Sequence, residues 1–106
     1  MKRQILKYRL PVKNGDHAIK LPIGISILSL QVQNNEPVLY GEVEVLSDED
    51  LNDKDFYEMC VFRILNTGEV YEETQCDEHS EFIGTVMLDE GSYVLHVIQI
   101  FKRRTK

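Results

Sequence analysis

The fold is decided by the stretch GISILSLQVQNNEPVLYGEVEVL, which covers residues 24–46. Apolar and polar side chains alternate on both sides of its centre, as they do in a strand with one buried face. Asn34-Asn35-Glu36-Pro37 interrupts the alternation with residues that favour a turn. The stretch is therefore predicted to form a β-hairpin, and the adjacent apolar residues Ile27 and Leu28 predict a β-bulge in its first strand.

The rest of the chain has the pattern of further short strands. Residues 4–10 and 17–21 alternate, and Asn14-Gly15 between them predicts a second hairpin. Residues 56–65 are apolar on both faces, which predicts a central strand. Further strands are expected at residues 70–71, 82–88 and 92–101. We predict one domain over residues 1–106, with an all-β fold, either an antiparallel sandwich or a small barrel of about seven strands.

Three local features complete the prediction. Ser47 and Asp50 resemble a capping box, which allows one short helical turn near residues 47–54. Gly41 in mid-strand predicts a bend or the close approach of another backbone. The basic residues 102–106 are expected to form a frayed tail.

Charge is divided unevenly along the chain. Of the 18 acidic residues, all except Asp16 lie between Glu36 and Glu90, where Lys54 and Arg63 are the two basic residues. The formal net charge is −6, which argues against general nucleic-acid binding because phosphate contacts need clustered Lys and Arg. The acidic middle is either a solvated surface or one that steers a charged partner.

Metal motifs are incomplete. Asp48, Asp50 and Asn52 have calcium-loop spacing, but the loop lacks its glycine and its final glutamate. Cys76 and His79 have the Cys-x-x-His spacing of a zinc ligand pair, and a second close pair is missing. We therefore predict no metal and no cofactor, while weak divalent binding at the acidic loop stays open.

Catalytic motifs are also missing, so we expect no enzyme activity. The chain shows neither a signal peptide nor a transmembrane span, which predicts a cytoplasmic protein. Two cysteines, Cys60 and Cys76, are too few for a disulfide framework, although a single bridge stays open.

Two sets of residues are candidates for binding. His96 lies between Val94 and Ile98, which favours a hydrogen-bonded structural histidine over one that lines a pocket with Tyr40 or Tyr93. The candidate ligand-binding residues for a small anion are Arg9, Lys20, Arg63 and His96. The candidate partner-binding residues are Gln31, Gln33, Asn34, Asn35, Tyr40, Glu72, Glu73, Asp77 and Glu78.

The order of several short motifs resembles a small uncharacterised family that is often encoded in bacteriophage and prophage genomes. The motifs are Leu21-Pro22-Ile23-Gly24, Leu28-Ser29-Leu30-Gln31-Val32-Gln33, Thr67-Gly68, Phe82-Ile83-Gly84-Thr85 and His96-Val97. The chain departs from the family at Tyr40, where a tryptophan is expected, and at a longer acidic insert over residues 48–55. The resemblance implies a phage context and no particular activity.

Together these observations predict a small phage-encoded binding module in the host cytoplasm. It is expected to act as an accessory or anti-defence protein that binds a host or phage protein, and to form a homo-oligomer that covers its sheet edges. One alternative is a protein that sequesters a small anionic ligand or nucleotide at a subunit interface. Another is a minor structural protein of the virion.

Overall fold

The computed structural model describes residues 2–45, 52–71 and 81–104, with the backbone alone from residue 101. Alternating apolar residues place most of these segments in strands. The seven strands of the described residues are β1 (Lys2–Arg9), β2 (Gly15–Pro22), β3 (Ser26–Gln33), β4 (Glu36–Val45), β5 (Tyr57–Asn66), β6 (Glu81–Leu88) and β7 (Tyr93–Arg104).

The strands form two antiparallel sheets. The three-stranded sheet has the order β1-β4-β3, and the four-stranded sheet has the order β2-β5-β7-β6. At one side the edge strands β3 and β6 lie beside each other, where Leu30 approaches the backbone of Gly84. The predicted all-β fold is confirmed, in its sandwich form.

The hairpin predicted over residues 24–46 is confirmed as β3 and β4. Gln33 pairs with Glu36, and Asn34 and Asn35 form the two-residue turn between them. Both asparagines have positive φ, 52° and 60°, which is the backbone of the turn that suits the twist of a hairpin. The register shifts between Ile27 and Ser29, which confirms the predicted bulge at Leu28.

The second predicted hairpin is wrong. β1 pairs with β4 from Lys2↔Val45 to Arg9↔Val38, and β2 pairs with β5 in the other sheet. The residues between β1 and β2 therefore cross from one sheet to the other instead of forming a tight turn. The alternation along each strand identifies its buried face correctly but does not identify the strand beside it.

One hydrophobic core lies between the sheets. Leu39 reaches it from the three-stranded sheet, and Phe62 and Val97 reach it from the four-stranded sheet. Tyr8 packs against this core, where burial and the nearby Tyr57 raise the pKa of its hydroxyl to about 12. β5 is a central strand, as predicted, because it pairs with both β2 and β7.

Four other local predictions have mixed outcomes. Residues 70–71 are not in a strand, although one was predicted there. β7 continues to Arg104, and the backbone of residues 102–104 pairs with β5, so the prediction of a frayed tail is wrong for these three residues. A 3₁₀ turn at Lys54–Phe56 lies at the end of the predicted helical segment, most of which is outside the described residues. At Gly41 the close approach comes from the Ile25 side chain, because a Cβ there would be 2.5 Å from Ile25 Cδ1.

Candidate functional site

The outer face of the four-stranded sheet carries the candidate site. Its register places three pairs of outward-facing residues on β6 and β7: Phe82 with Ile98, Thr85 with His96, and Met87 with Val94. Leu65, Ile98 and Ile100 form a second hydrophobic cluster on this face, separate from the core between the sheets. This sheet therefore has apolar residues on both sides.

His96 is held between two threonines at the centre of that face. Its Nε2 lies 2.7 Å from Thr67 Oγ1, and its Nδ1 lies 2.9 Å from Thr85 Oγ1. A neutral imidazole has one N–H donor and one acceptor nitrogen, so one hydroxyl donates to the ring and the other accepts from it. His96 is thus hydrogen-bonded through both ring nitrogens, as its structural interpretation predicts, and its role in ligand binding stays a prediction.

A pocket of about 240 Å³ opens beside His96. Its walls include Leu65 and Ile98 from the second cluster, with Tyr71 and Phe82 on the other side. A neighbouring pocket of about 320 Å³ includes Tyr93, while Tyr40 lies on the other sheet. The tyrosine that lines this pocket with His96 is Tyr71, whereas the alternative interpretation expected Tyr40 or Tyr93.

Four large apolar residues are exposed at or near this pocket, and we call them the apolar strip. Val70 is 93% exposed, Met87 67%, Phe82 60% and Tyr71 46%. Phe82 and Met87 face outward from β6, and Tyr71 follows the turn after β5. Soluble proteins seldom leave such groups of apolar side chains in water unless the surface binds something.

The sequence that adjoins the apolar strip is acidic. Glu69 and Glu81 are exposed and directly precede Val70 and Phe82, and the chain from residue 69 to residue 81 contains no Lys or Arg. Glu69 Oε1 accepts hydrogen bonds from Asn14 Nδ2 at 2.7 Å and from the Asn66 backbone N–H at 3.0 Å. The predicted partner-binding residues Glu72, Glu73, Asp77 and Glu78, like Cys76 and His79, lie outside the described residues.

The other predicted partner-binding residues lie on the three-stranded sheet. Gln31, Gln33 and Tyr40 share its outer face, as does Arg9. Lys7 Nζ donates to Gln33 Oε1 at 3.1 Å, and this hydrogen bond connects β1 to β3 across the intervening β4. By register it crosses β4 near Val38, which is 1% exposed although it faces outward.

Asn35 joins two turns. Its Oδ1 accepts a 2.7 Å hydrogen bond from the backbone N–H of Asp89, in the turn between β6 and β7. Asp89 and Glu90 have positive φ, 52° and 56°, as Asn34 and Asn35 do in the opposite turn. Asn35 thus has a structural role at the end of the sandwich where the two sheets meet.

The predicted ligand-binding residues do not converge within one copy of the chain. Arg9 lies in the three-stranded sheet, whereas Lys20, Arg63 and His96 lie in the four-stranded sheet. Arg63 is buried and donates to both carboxylate oxygens of Asp16, at 2.7 and 2.9 Å. These hydrogen bonds, aided by the guanidinium charge, hold the pKa of Asp16 below its usual range despite partial burial.

The apolar strip and the two threonines were not predicted from the sequence. The strand around Phe82 and Met87 was predicted, but both of its faces carry apolar residues. Alternation alone therefore does not show which face points to the core and which to solvent. A bulge between Phe82 and Gly84 also shifts the alternation within β6. The pairing Thr85↔His96 depends on the register of two strands, which the sequence does not contain in any local pattern.

The described residues form neither a cluster of metal-ligating side chains nor a membrane-spanning helix. No group of three or more His, Cys, Asp or Glu in the described part of the chain is placed to hold a metal ion. Cys60 lies in the core between the sheets. The described residues include no helix with the length and hydropathy needed to cross a bilayer.

Fold and surface together define a small all-β sandwich that presents exposed apolar side chains on one sheet. The chain belongs to the family described as a domain of unknown function, DUF7352, whose match covers residues 1–105. No curated protein and no solved structure matches the chain. The resemblance to an uncharacterised family is thus supported at the level of a domain of unknown function, and the phage origin stays a prediction.

Proposed function

We propose that this domain is a protein-binding module that docks a partner on the apolar strip. The observation that carries the proposal is the exposure of Phe82 and Met87 on the outer face of β6, beside the pocket at His96. Partner residues that cover these side chains remove apolar surface from water, at roughly 25 cal/mol per Å². The pocket offers a place for one apolar side chain of the partner at the centre of the contact.

The partner is a protein that surrounds an apolar contact with basic residues. Glu69 and Glu81 flank the apolar strip, and the sequence between them adds acidic residues and no Lys or Arg. Opposite charge around an apolar centre accelerates association and selects partners, while the apolar contact supplies affinity. Binding is therefore expected to weaken as salt rises, but not to disappear.

The proposed context follows the family resemblance. The domain is a phage or prophage accessory protein, anti-defence or otherwise, that acts in the host cytoplasm on a host factor. A homo-oligomer is part of this proposal, formed through a surface other than the edge of β1. The alternative, a sequestering protein for a small anion, requires two copies to bring Arg9 near Lys20 or Arg63, because one copy holds them in different sheets.

The test compares a double variant in the apolar strip with a single variant at an exposed apolar residue elsewhere. A host protein that is captured by the unmodified domain is purified, and its affinity is measured by titration calorimetry for Phe82→Ser/Met87→Ser and for Leu28→Ser. Leu28 is 51% exposed on β3 and serves as the matched control. We expect a loss of affinity of tenfold or more for the double variant alone, about 1.4 kcal/mol.

Unchanged affinity of the double variant would exclude the apolar strip as the docking surface. A panel of nucleotides and small anions, screened by thermal shift, tests the sequestering alternative, since a bound ligand raises the melting temperature. Mass spectrometry of purified virions tests the third function, because a virion protein is present in the particle and an accessory protein is not.

A further inference from the structure

The outer edge of β1 lies in the other sheet from the apolar strip and is a separate feature of the surface. Among the strands of the described residues, β1 pairs with β4 alone and so forms one edge of the three-stranded sheet. Its register with β4 runs without a bulge over eight residues, and the strand contains no proline. A straight strand with one unpaired side is a template for an added strand.

The register identifies which backbone groups of β1 face outward. The Leu10 N–H donates to the Pro37 carbonyl at 2.9 Å, and these two residues continue the β1–β4 register. Because hydrogen-bonded and non-hydrogen-bonded pairs alternate in an antiparallel ladder, Tyr8 and Leu6 bond to β4 as Leu10 does. The backbone groups that point away from β4 therefore belong to Arg3, Ile5, Lys7 and Arg9.

The side chains at these same positions are mainly basic. Arg3, Lys7 and Arg9 lie on the outer face of the sheet, and Lys2 precedes them. Arg3 pairs with Glu42 at 3.1 Å, whereas Lys7 bonds to the uncharged Gln33 side chain. Residues 1–10 contain no acidic residue, so the edge has a positive charge.

The inner face of β1 is apolar at Leu6 and Tyr8, in its second half, and is incompletely covered there. Leu6 and Tyr8 point toward the core, yet both are only half-buried because no strand of the described residues lies beyond them in the sheet. A strand added at this edge would place its own inward side chains beside Leu6 and Tyr8. Apolar residues are the side chains that such a position favours.

We propose that β1 accepts an extended peptide segment of a protein partner, in which acidic residues alternate with apolar ones. The acidic residues of that segment lie beside Arg3, Lys7 and Arg9 on the outer face, and the apolar residues extend the core. Backbone hydrogen bonds to the free edge provide affinity, and the charges provide selection.

The charge of β1 argues against a second copy as the occupant. If two β1 strands met around a two-fold axis at Ile5, Arg3 of each would face Lys7 of the other. Like charges directly opposite each other destabilise a strand pair. The same basic residues that oppose self-association favour an acidic strand.

The edge of β2 is a poorer acceptor by the same criteria. The Ile23 N–H donates to the Phe56 carbonyl at 2.8 Å, which fixes the alternation of that ladder. The outward-directed backbone positions of β2 are then Asp16, Ala18, Lys20 and Pro22. Pro22 has no N–H to donate, so the row of outward-directed donors is interrupted. Asp16 and Lys20 carry opposite charges, so this edge favours neither an acidic nor a basic strand.

The test uses two labelled octapeptides, one alternating glutamate and valine and one alternating lysine and valine. Fluorescence anisotropy at low salt should show at least about tenfold tighter binding of the glutamate peptide, because the basic side chains of β1 attract its carboxylates and repel the lysines of the other peptide. Lys7→Glu/Arg9→Glu should reverse the preference. Equal binding of both peptides, or no binding of either, would overturn the proposal.

A proline variant separates backbone pairing from charge. Ile5→Pro keeps every basic residue and removes an N–H that the β1–β4 ladder does not use, so the fold is retained, as a thermal melt verifies. It should lower affinity for the glutamate peptide at least about tenfold by breaking the added ladder. Unchanged binding by this variant would show that charge alone attracts the peptide and would overturn strand addition.

Amide hydrogen exchange locates the peptide directly. The amides of Arg3, Ile5, Lys7 and Arg9 should gain protection when the glutamate peptide binds, while that of Tyr8 is protected beforehand. Protection of these four amides in the free domain, together with a dimer that Ile5→Pro dissociates, would identify a second copy as the occupant and overturn the proposal. Phe82→Ser/Met87→Ser should leave peptide binding unchanged, which separates this site from the apolar strip.

Discussion

The two sheets share one core but have different outer faces. Outside the three-stranded sheet, long polar side chains cover the strands, and the hydrogen bond between Lys7 and Gln33 spans β4 over the buried Val38. Outside the four-stranded sheet, Leu65 and Ile98 belong to a second hydrophobic cluster. On the three-stranded sheet polar side chains cover the apolar surface at Val38, and Ile5 is a single exposed apolar side chain of its outer face. On the four-stranded sheet the second cluster continues outward into the several exposed side chains of the apolar strip.

This difference shows where each sheet is open to a partner. The four-stranded sheet offers its face, because Phe82 and Met87 stand on it uncovered. The three-stranded sheet offers its edge, because a polar contact crosses its face at Val38 while no strand of the described residues pairs with the other side of β1. Four pairs of substitutions test how far this difference between the sheets extends. In each pair, one substitution lies in the three-stranded sheet or its hairpin turn, and the other lies in the four-stranded sheet or its turn.

The largest effect is expected from removing a leucine on each outer side. Leu65→Ala should lower the free energy of unfolding by about 2–4 kcal/mol, because Leu65 is 5% exposed within the second cluster. Leu28→Ala makes the same chemical change at a bulge residue that is 51% exposed, and should cost less than about 1 kcal/mol. Urea denaturation measures both, and equal losses would show that the second cluster is not a core.

The prediction from sequence was accurate where the signal is local. The β3–β4 hairpin depends on Asn34-Asn35, and its bulge depends on the adjacent Ile27 and Leu28, so both follow from neighbouring residues. The β1–β2 hairpin was wrong because pairing with β4 and β5 is set by packing between distant segments. The candidate site was missed for the same reason, since Thr67 and Thr85 meet His96 only after three segments assemble.

The second pair compares the glycines inside the strands. Gly41→Ala should destabilise the domain by about 1–3 kcal/mol, because the new Cβ would lie 2.5 Å from Ile25 Cδ1. Gly84→Ala in the other sheet meets Leu30 Cδ2 at 3.4 Å, an ordinary contact, and should change stability little. Ile25→Val should restore part of the loss in the Gly41 variant, and a double-mutant cycle that shows no coupling would refute this explanation.

The third pair compares the ion pairs on the two outer faces. Asp16→Asn removes one charged partner of the buried Arg63 and should cost roughly 1–2 kcal/mol, an amount that is reduced because Asp16 itself is partly exposed. Glu42→Gln breaks the more exposed contact with Arg3 and should cost less than about 0.5 kcal/mol. Chemical denaturation at pH 7 gives both values, and a larger loss for Glu42→Gln would reverse the comparison.

The Asp16 pair also predicts a pH dependence. Because Arg63 lowers the pKa of Asp16 in the folded state, the pair stabilises the domain above the unfolded carboxyl pKa of about 3.9. The stabilisation is lost as the pH falls through the lower, folded pKa. The stability difference between the unmodified domain and Asp16→Asn should therefore shrink below pH 4, and a difference that stays constant to strong acid would contradict the pairing.

The smallest effect is expected in the two turns that Asn35 connects. Glu90 has a φ of 56°, and this left-handed backbone conformation is energetically unfavourable for glutamate. Asn34 has a similar φ of 52°, but asparagine tolerates the conformation. Glu90→Gly should therefore stabilise the domain by about 0.5–1 kcal/mol, after the entropy cost of glycine in the unfolded chain, and Asn34→Gly should be nearly neutral. Thermal melts of both variants resolve a difference of this size. If Glu90→Gly is destabilising instead, the Glu90 side chain stabilises the β6–β7 turn by more than the strained backbone costs. The two turns would then differ in chemistry, as the two outer faces do.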